Sequence, residues 1–77
     1  MSKLPILRAR DLIKVANKQD FRYEHTQGSH FIFRRPSDGK VISIPVHKGH
    51  TLGRGITRAL IKQMGLTDDE CLTLLKK

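Results

Sequence analysis

Residues 21–46 read FRYEHTQGSHFIFRRPSDGKVISIPV, and this stretch decides the fold. Near its centre, Pro36-Ser37-Asp38-Gly39 combines proline's fixed φ with an Asp-Gly step, a strong turn signal. The flanking segments, His30–Arg35 and Val41–Pro45, are rich in β-branched and aromatic residues and lie close enough in sequence to pair as a hairpin. Upstream, Arg22–Thr26 carries the β-favouring Tyr23 and Thr26, and Gln27-Gly28 turns the chain into the middle strand. Alternation puts Phe31 and Phe33 on one face of that strand and His30, Ile32 and Arg34 on the other, with apolar residues in both sets. In the third strand, Ile42 and Ile44 are expected to face the helices.

Outward from these strands the period changes. Between Arg8 and Lys18, Ala9, Leu12, Ile13 and Ala16 recur at helical spacing, so an amphipathic helix precedes the sheet after a short lead-in. Val46 to Gly53 is a loop bearing His and Gly. From Arg54 to Met64 the apolar positions Ile56, Leu60, Ile61 and Met64 mark a second helix, with Gly65 where a left-handed cap falls. Thr67 and Glu70 have the spacing of a capping box and open a short last helix with Leu72, Leu74 and Leu75 available for packing. The order is helix, three strands, helix, short helix, in a single domain over residues 1–77. This is an α+β fold with a three-stranded antiparallel sheet and its helices on one face.

A chain of 77 residues has a thin core and little room for an enclosed pocket, so chemistry is expected on an open surface that suits a polymer. Fifteen Lys and Arg face seven Asp and Glu, for a net charge of +8. The excess is distributed along the chain, a pattern that points first to nucleic acid, then to an acidic protein, then to a membrane surface. The lone Cys71 excludes an internal disulfide and suits a reducing compartment. The first residues lack the apolar run of a signal peptide and nothing approaches transmembrane length, so a cytoplasmic protein without membrane association is expected.

Gly28-Ser29-His30 is the candidate catalytic motif. RNA is cut without metal when a base takes the 2′-hydroxyl proton, an acid protonates the departing 5′-oxygen and cations stabilise the phosphorane. Histidine, with an ordinary pKa near 6.5, serves either proton transfer. Gly28 lets the backbone turn or approach a phosphate, Ser29 offers a hydroxyl to a non-bridging oxygen, and Arg34, Arg35 and Lys40 add positive charge. The plainer reading of His30 is a polar residue opening a strand.

Pro45-Val46-His47-Lys48-Gly49-His50 is the second cluster. His47 and His50 lack neighbouring Cys, Asp or Glu to complete a zinc site, so no metal is expected. The loop instead delivers Lys48 and the start of the second helix to a phosphate, with Gly53 and Gly55 flanking Arg54. Arg54, Arg58 and Lys62 recur every four residues as a basic ridge suited to phosphate contact, or simply a solvated helix face. His25 has no evident partner, and most aromatics are needed for the core.

The residues Phe21, Gly28-Ser29-His30-Phe31-Ile32-Phe33-Arg34, Asp38-Gly39, Ile44-Pro45-Val46-His47, Gly55-Ile56-Thr57 and Ile61-Lys62-Gln63-Met64-Gly65-Leu66 together resemble the HicA toxins of HicAB toxin–antitoxin systems. The likeness runs from the first helix to Leu66. It implies a double-stranded-RNA-binding-domain-like α-β-β-β-α fold and a ribosome-independent mRNA interferase whose Gly-Ser-His histidine, here His30, is essential. Gly28 and Ser29 carry over as motif neighbours and His47 as part of the Pro-Val-His element. A HicB antitoxin is the implied partner. The resulting expectation is a metal-independent endoribonuclease without a small-molecule cofactor, with His30 catalytic. Gly28, Ser29, Arg34, His47, Lys48, Arg54 and Arg58 are expected on the RNA. The alternatives are a non-catalytic RNA-binding module of the same fold and a domain that grips an acidic protein.

Overall fold

The structure is a computed structural model that describes residues 4–47 and 51–76. Lys48 and His50, and with them part of the second cluster, lie outside the described residues. In chain order the elements are β1 (Leu7–Arg8), α1 (Ala9–Lys18), β2 (Arg22–Gln27), β3 (His30–Arg35), β4 (Lys40–Pro45), β5 (Thr51–Leu52), α2 (Arg54–Gln63) and α3 (Asp68–Lys76). Strands β2, β3 and β4 form an antiparallel sheet in that order, as the turn signals require.

Two turns set its register. Gly28 has φ +59°, and glycine at the first central position of a two-residue loop is what a type II′ hairpin turn needs. A Cβ built at Gly28 meets nothing within 4 Å, so conformation and not crowding demands glycine there. At the other turn the Gly39 N–H donates to the Arg35 carbonyl at 2.7 Å. Asp38 accepts from Arg35 Nη2 at 2.8 Å and from the Lys40 N–H at 3.1 Å. These bonds hold the Asp38 carboxyl down at about 2, the Arg35 hydrogen bond having the largest effect.

The register pairs Phe31 with Ile44 and Phe33 with Ile42, so all four share the inner face. Against it pack Leu12, Val15 and Ala16 of α1 and Leu60 and Ile61 of α2, and α3 closes on these two helices with Cys71, all buried. Burial pushes the Cys71 thiol up from its ordinary range. The helices are confined to this one side, giving the expected layout. The last helix starts with the reciprocal box: Thr67 N–H to Glu70 Oε1 at 2.9 Å and Glu70 N–H to Thr67 Oγ1 at 3.1 Å.

Two features differ from the sequence expectation. The lead-in and the end of the loop pair as a two-residue ladder, Leu7 with Leu52 and Arg8 with Thr51, because Leu4, Leu7 and Leu52 bury against the core. In α2 the buried stripe is Thr57, Leu60, Ile61 and Met64, while Ile56 is 49% exposed; spacings of three, four and seven from Thr57 define the inward face. As expected, most of the aromatics serve the core, Phe21 and Phe33 buried and Phe31 packed against it, while Tyr23 is 54% exposed at the sheet edge, its ring 5.6 Å from that of Phe31.

Candidate active site

Among the described residues, no helix packs on the sheet's other face. Directly paired residues share a face, so the pairs His30–Pro45, Ile32–Ser43 and Arg34–Val41 place one row of side chains there from β3 and β4. His30 opens β3 immediately after the Gly28-Ser29 turn and is exposed. Its Nδ1 lies 3.0 Å from Ser43 Oγ, across the ladder and one pair along. This hydrogen bond fixes the ring by one nitrogen and leaves Nε2 for a ligand. With Nδ1–H donating to Ser43, Nε2 is a proton acceptor; with the hydroxyl donating, Nε2–H is a donor.

The second motif arrives at the same place. The Val46 N–H donates to the Ser29 carbonyl at 2.7 Å, extending the ladder one step past His30–Pro45. His47 follows and is exposed. Thus Gly28, Ser29, His30 and the segment through His47 converge at one end of the sheet.

The predicted cations are dispersed and largely engaged. Arg34 is on the same face of β3 but four residues along, about 13 Å away at ordinary strand rise. Its Nε donates to Glu24 Oε2 at 2.6 Å. Arg54 Nε donates to the Leu4 carbonyl at 3.0 Å, tying the N-terminal segment to α2. Arg58 Nη2 pairs with Asp68 Oδ2 at 3.0 Å, bridging α2 and α3. Arg54 and Arg58 belong to a helix on the inner side of the sheet, separate from the face that bears His30. Lys48 lies outside the described residues. Among the described residues no three His, Cys, Asp or Glu side chains converge as a metal-ligand set, and no helix is long and apolar enough to cross a membrane.

A family model described as "HicA toxin of bacterial toxin-antitoxin" matches residues 9–66 of the 77-residue chain. The chain belongs to the HicA toxin family. No curated protein matches it significantly. As a HicA toxin it is one half of a toxin–antitoxin system and has an antitoxin partner. The matched region of the HicA chain begins at the first residue of α1 and takes in the whole sheet, His30 and α2. It stops before α3, which Lys14 and Lys18 of α1 hold by donating to the Leu75 and Leu74 carbonyls at 2.9 and 2.7 Å.

Ser43 is the site residue that the sequence reading passed over. Its signal was the four-residue turn at 36–39. Once that turn fixes His30 opposite Pro45, the next same-face neighbour on β4 is Ser43.

Proposed function

We propose that this HicA toxin is a metal-independent endoribonuclease, an mRNA interferase, in which His30 takes the proton from the attacking 2′-hydroxyl. The observation that carries the reading is an exposed imidazole anchored through Nδ1 by Ser43 on the sheet face away from the helices. An anchored ring presents its free nitrogen in a set direction, which general-base catalysis needs. The proposed roles of the neighbours follow from position. Ser29, adjacent in the turn, offers its hydroxyl and backbone to a non-bridging phosphate oxygen, and Gly28 provides the left-handed turn that presents both. His47 follows the end of β4 at the same end of the sheet, and Lys48 is proposed as a further phosphate contact on its charge alone. Arg34 contacts a phosphate further along the RNA by exchanging Glu24 for a phosphate oxygen, whereas Arg54 and Arg58, on the other side of the sheet, meet only RNA that continues around its edge, Arg58 giving up Asp68 to do so.

The proposed substrate is cytoplasmic mRNA, and the proposed antitoxin is of the HicB type, covering the sheet face around His30. The test is inducible expression of the wild type and His30→Ala in cells, with transcript ends mapped. Growth arrest with new internal ends for the wild type, and neither for His30→Ala, is expected. Arrest with intact transcripts overturns the nuclease reading in favour of a non-catalytic RNA binder.

A further inference from the structure

We infer that His25 is the second proton-transfer group of this site, the acid that protonates the departing 5′-oxygen. This rests on the nuclease reading above and completes it, since one histidine leaves that transfer unassigned.

Simple alternation along β2 does not lead there. Arg22 pairs with Arg34 and Tyr23 with Phe33, but then the register shifts: His25, not Glu24, pairs with Ile32, followed by Thr26 with Phe31 and Gln27 with His30. Glu24 is therefore the extra residue of a β-bulge, a device that re-aims neighbouring side chains. Tyr23 and Thr26 lie on the inner face, their hydroxyls 2.7 Å apart and the Tyr23 ring against Phe31 and Phe33. His25, opposite Ile32, lies on the outer face with His30.

On that face His30 and Arg34 are the diagonal neighbours of His25, because each stands two residues from Ile32. Diagonal cross-strand neighbours are about 7–8 Å apart, a gap that one phosphodiester linkage fills. His25 is exposed and makes no hydrogen bond or ion pair within the described protein, so its ring is available to a ligand. The charged and titratable groups around it are the Glu24–Arg34 pair, Arg22 and the His30 ring.

In-line displacement places the attacking and leaving oxygens on opposite sides of phosphorus, and two imidazoles separated across a strand pair match that demand. The 2′-oxygen bonds to phosphorus and gives its proton to His30 Nε2. The phosphorus–O5′ bond breaks as His25 passes its proton to O5′, leaving a 2′,3′-cyclic phosphate and a 5′-hydroxyl.

The experiment compares an all-oxygen RNA with the same RNA carrying sulfur in place of the scissile 5′-oxygen, a leaving group that needs no acid. On all-oxygen RNA, His25→Ala and His25→Gln are expected to lose at least about 100-fold in rate. On the sulfur substrate both are expected to return close to the wild-type rate, while His30→Ala stays slow on both. Thermal melting verifies that the His25 variants fold, as expected for an exposed edge-strand residue. Variants of His25 that cleave all-oxygen RNA as fast as the wild type, or that are slowed equally on both substrates, overturn the assignment and leave His30 untouched. A wild type that cleaves neither substrate overturns the nuclease reading itself, and this assignment with it.

Discussion

The Nδ1 of His30 and the Oγ of Ser43 sit 3.0 Å apart on the open face of the sheet, joined across the β3–β4 ladder. Neither residue is buried, so the bond works by orientation more than by stability. A net hydrogen bond of this kind is worth about 0.5–1.5 kcal/mol. Ser43→Ala is therefore expected to lower kcat about threefold to tenfold with little change in KM. Ser43→Thr, which keeps a hydroxyl at the position, is expected to recover most of it. A rise in KM with kcat unchanged would make Ser43 a substrate contact and not a positioning residue.

Arg34 is held by Glu24, and both side chains are partly exposed. Exposed pairs contribute about 0–1 kcal/mol, so Glu24→Gln is expected to leave stability nearly unchanged while freeing the guanidinium. RNA binding should tighten at low salt, because the guanidinium no longer gives up a carboxylate to reach a phosphate. Arg34→Ala should shallow the log–log salt dependence by about 0.7, one phosphate contact on a single strand. A slope that Arg34→Ala leaves unchanged removes Arg34 from the RNA surface.

Gly28 adopts φ +59° in open space. The cost of a side chain there is conformational, about 1–2 kcal/mol for Ala. Gly28→Ala should lower the urea midpoint accordingly, and Gly28→Asn, which tolerates the left-handed region, should lower it less. Equal losses for the two variants would mean that the site rejects a side chain for its bulk.

Asp38 couples the β3–β4 turn to pH. Its folded pKa of about 2 lies below the ordinary 3.8, so its contribution is present above about 4 and disappears as pH falls from there toward 2. Urea midpoints of the wild type and Asp38→Asn are expected to differ at neutral pH and to converge across that acid window. A constant difference from pH 7 to pH 2 would rule out the ion pair with Arg35 as the cause.

The three strands, both turns, the Thr67–Glu70 box and the left-handed Gly65 at φ +79° were all readable from local residue chemistry, because each depends on neighbours within a few positions. What escaped depends on distance or on counting. Two-residue strands such as Leu7–Arg8 and Thr51–Leu52 carry no periodicity, and only the burial of Leu7 and Leu52 reveals them. The Glu24 bulge slips the alternation by one, so His25 moves to the outer face without any change in composition. Thr57 occupies an inward position that hydrophobicity alone assigns to Ile56. At the site, Gly28, Ser29 and His30 were visible as a motif. The engagement of Arg34, Arg54 and Arg58 was not, since Glu24, Leu4 and Asp68 are brought to them by the fold.

The most direct measurement is single-turnover cleavage of a short RNA by the purified toxin in excess chelator, using wild type and His30→Ala and an RNA with 2′-deoxy at the cut site. Cleavage only by the wild type, only with the 2′-hydroxyl present, and ending in a 2′,3′-cyclic phosphate is the expected result. Equal cleavage by His30→Ala, or undiminished cutting of the 2′-deoxy strand, would contradict it.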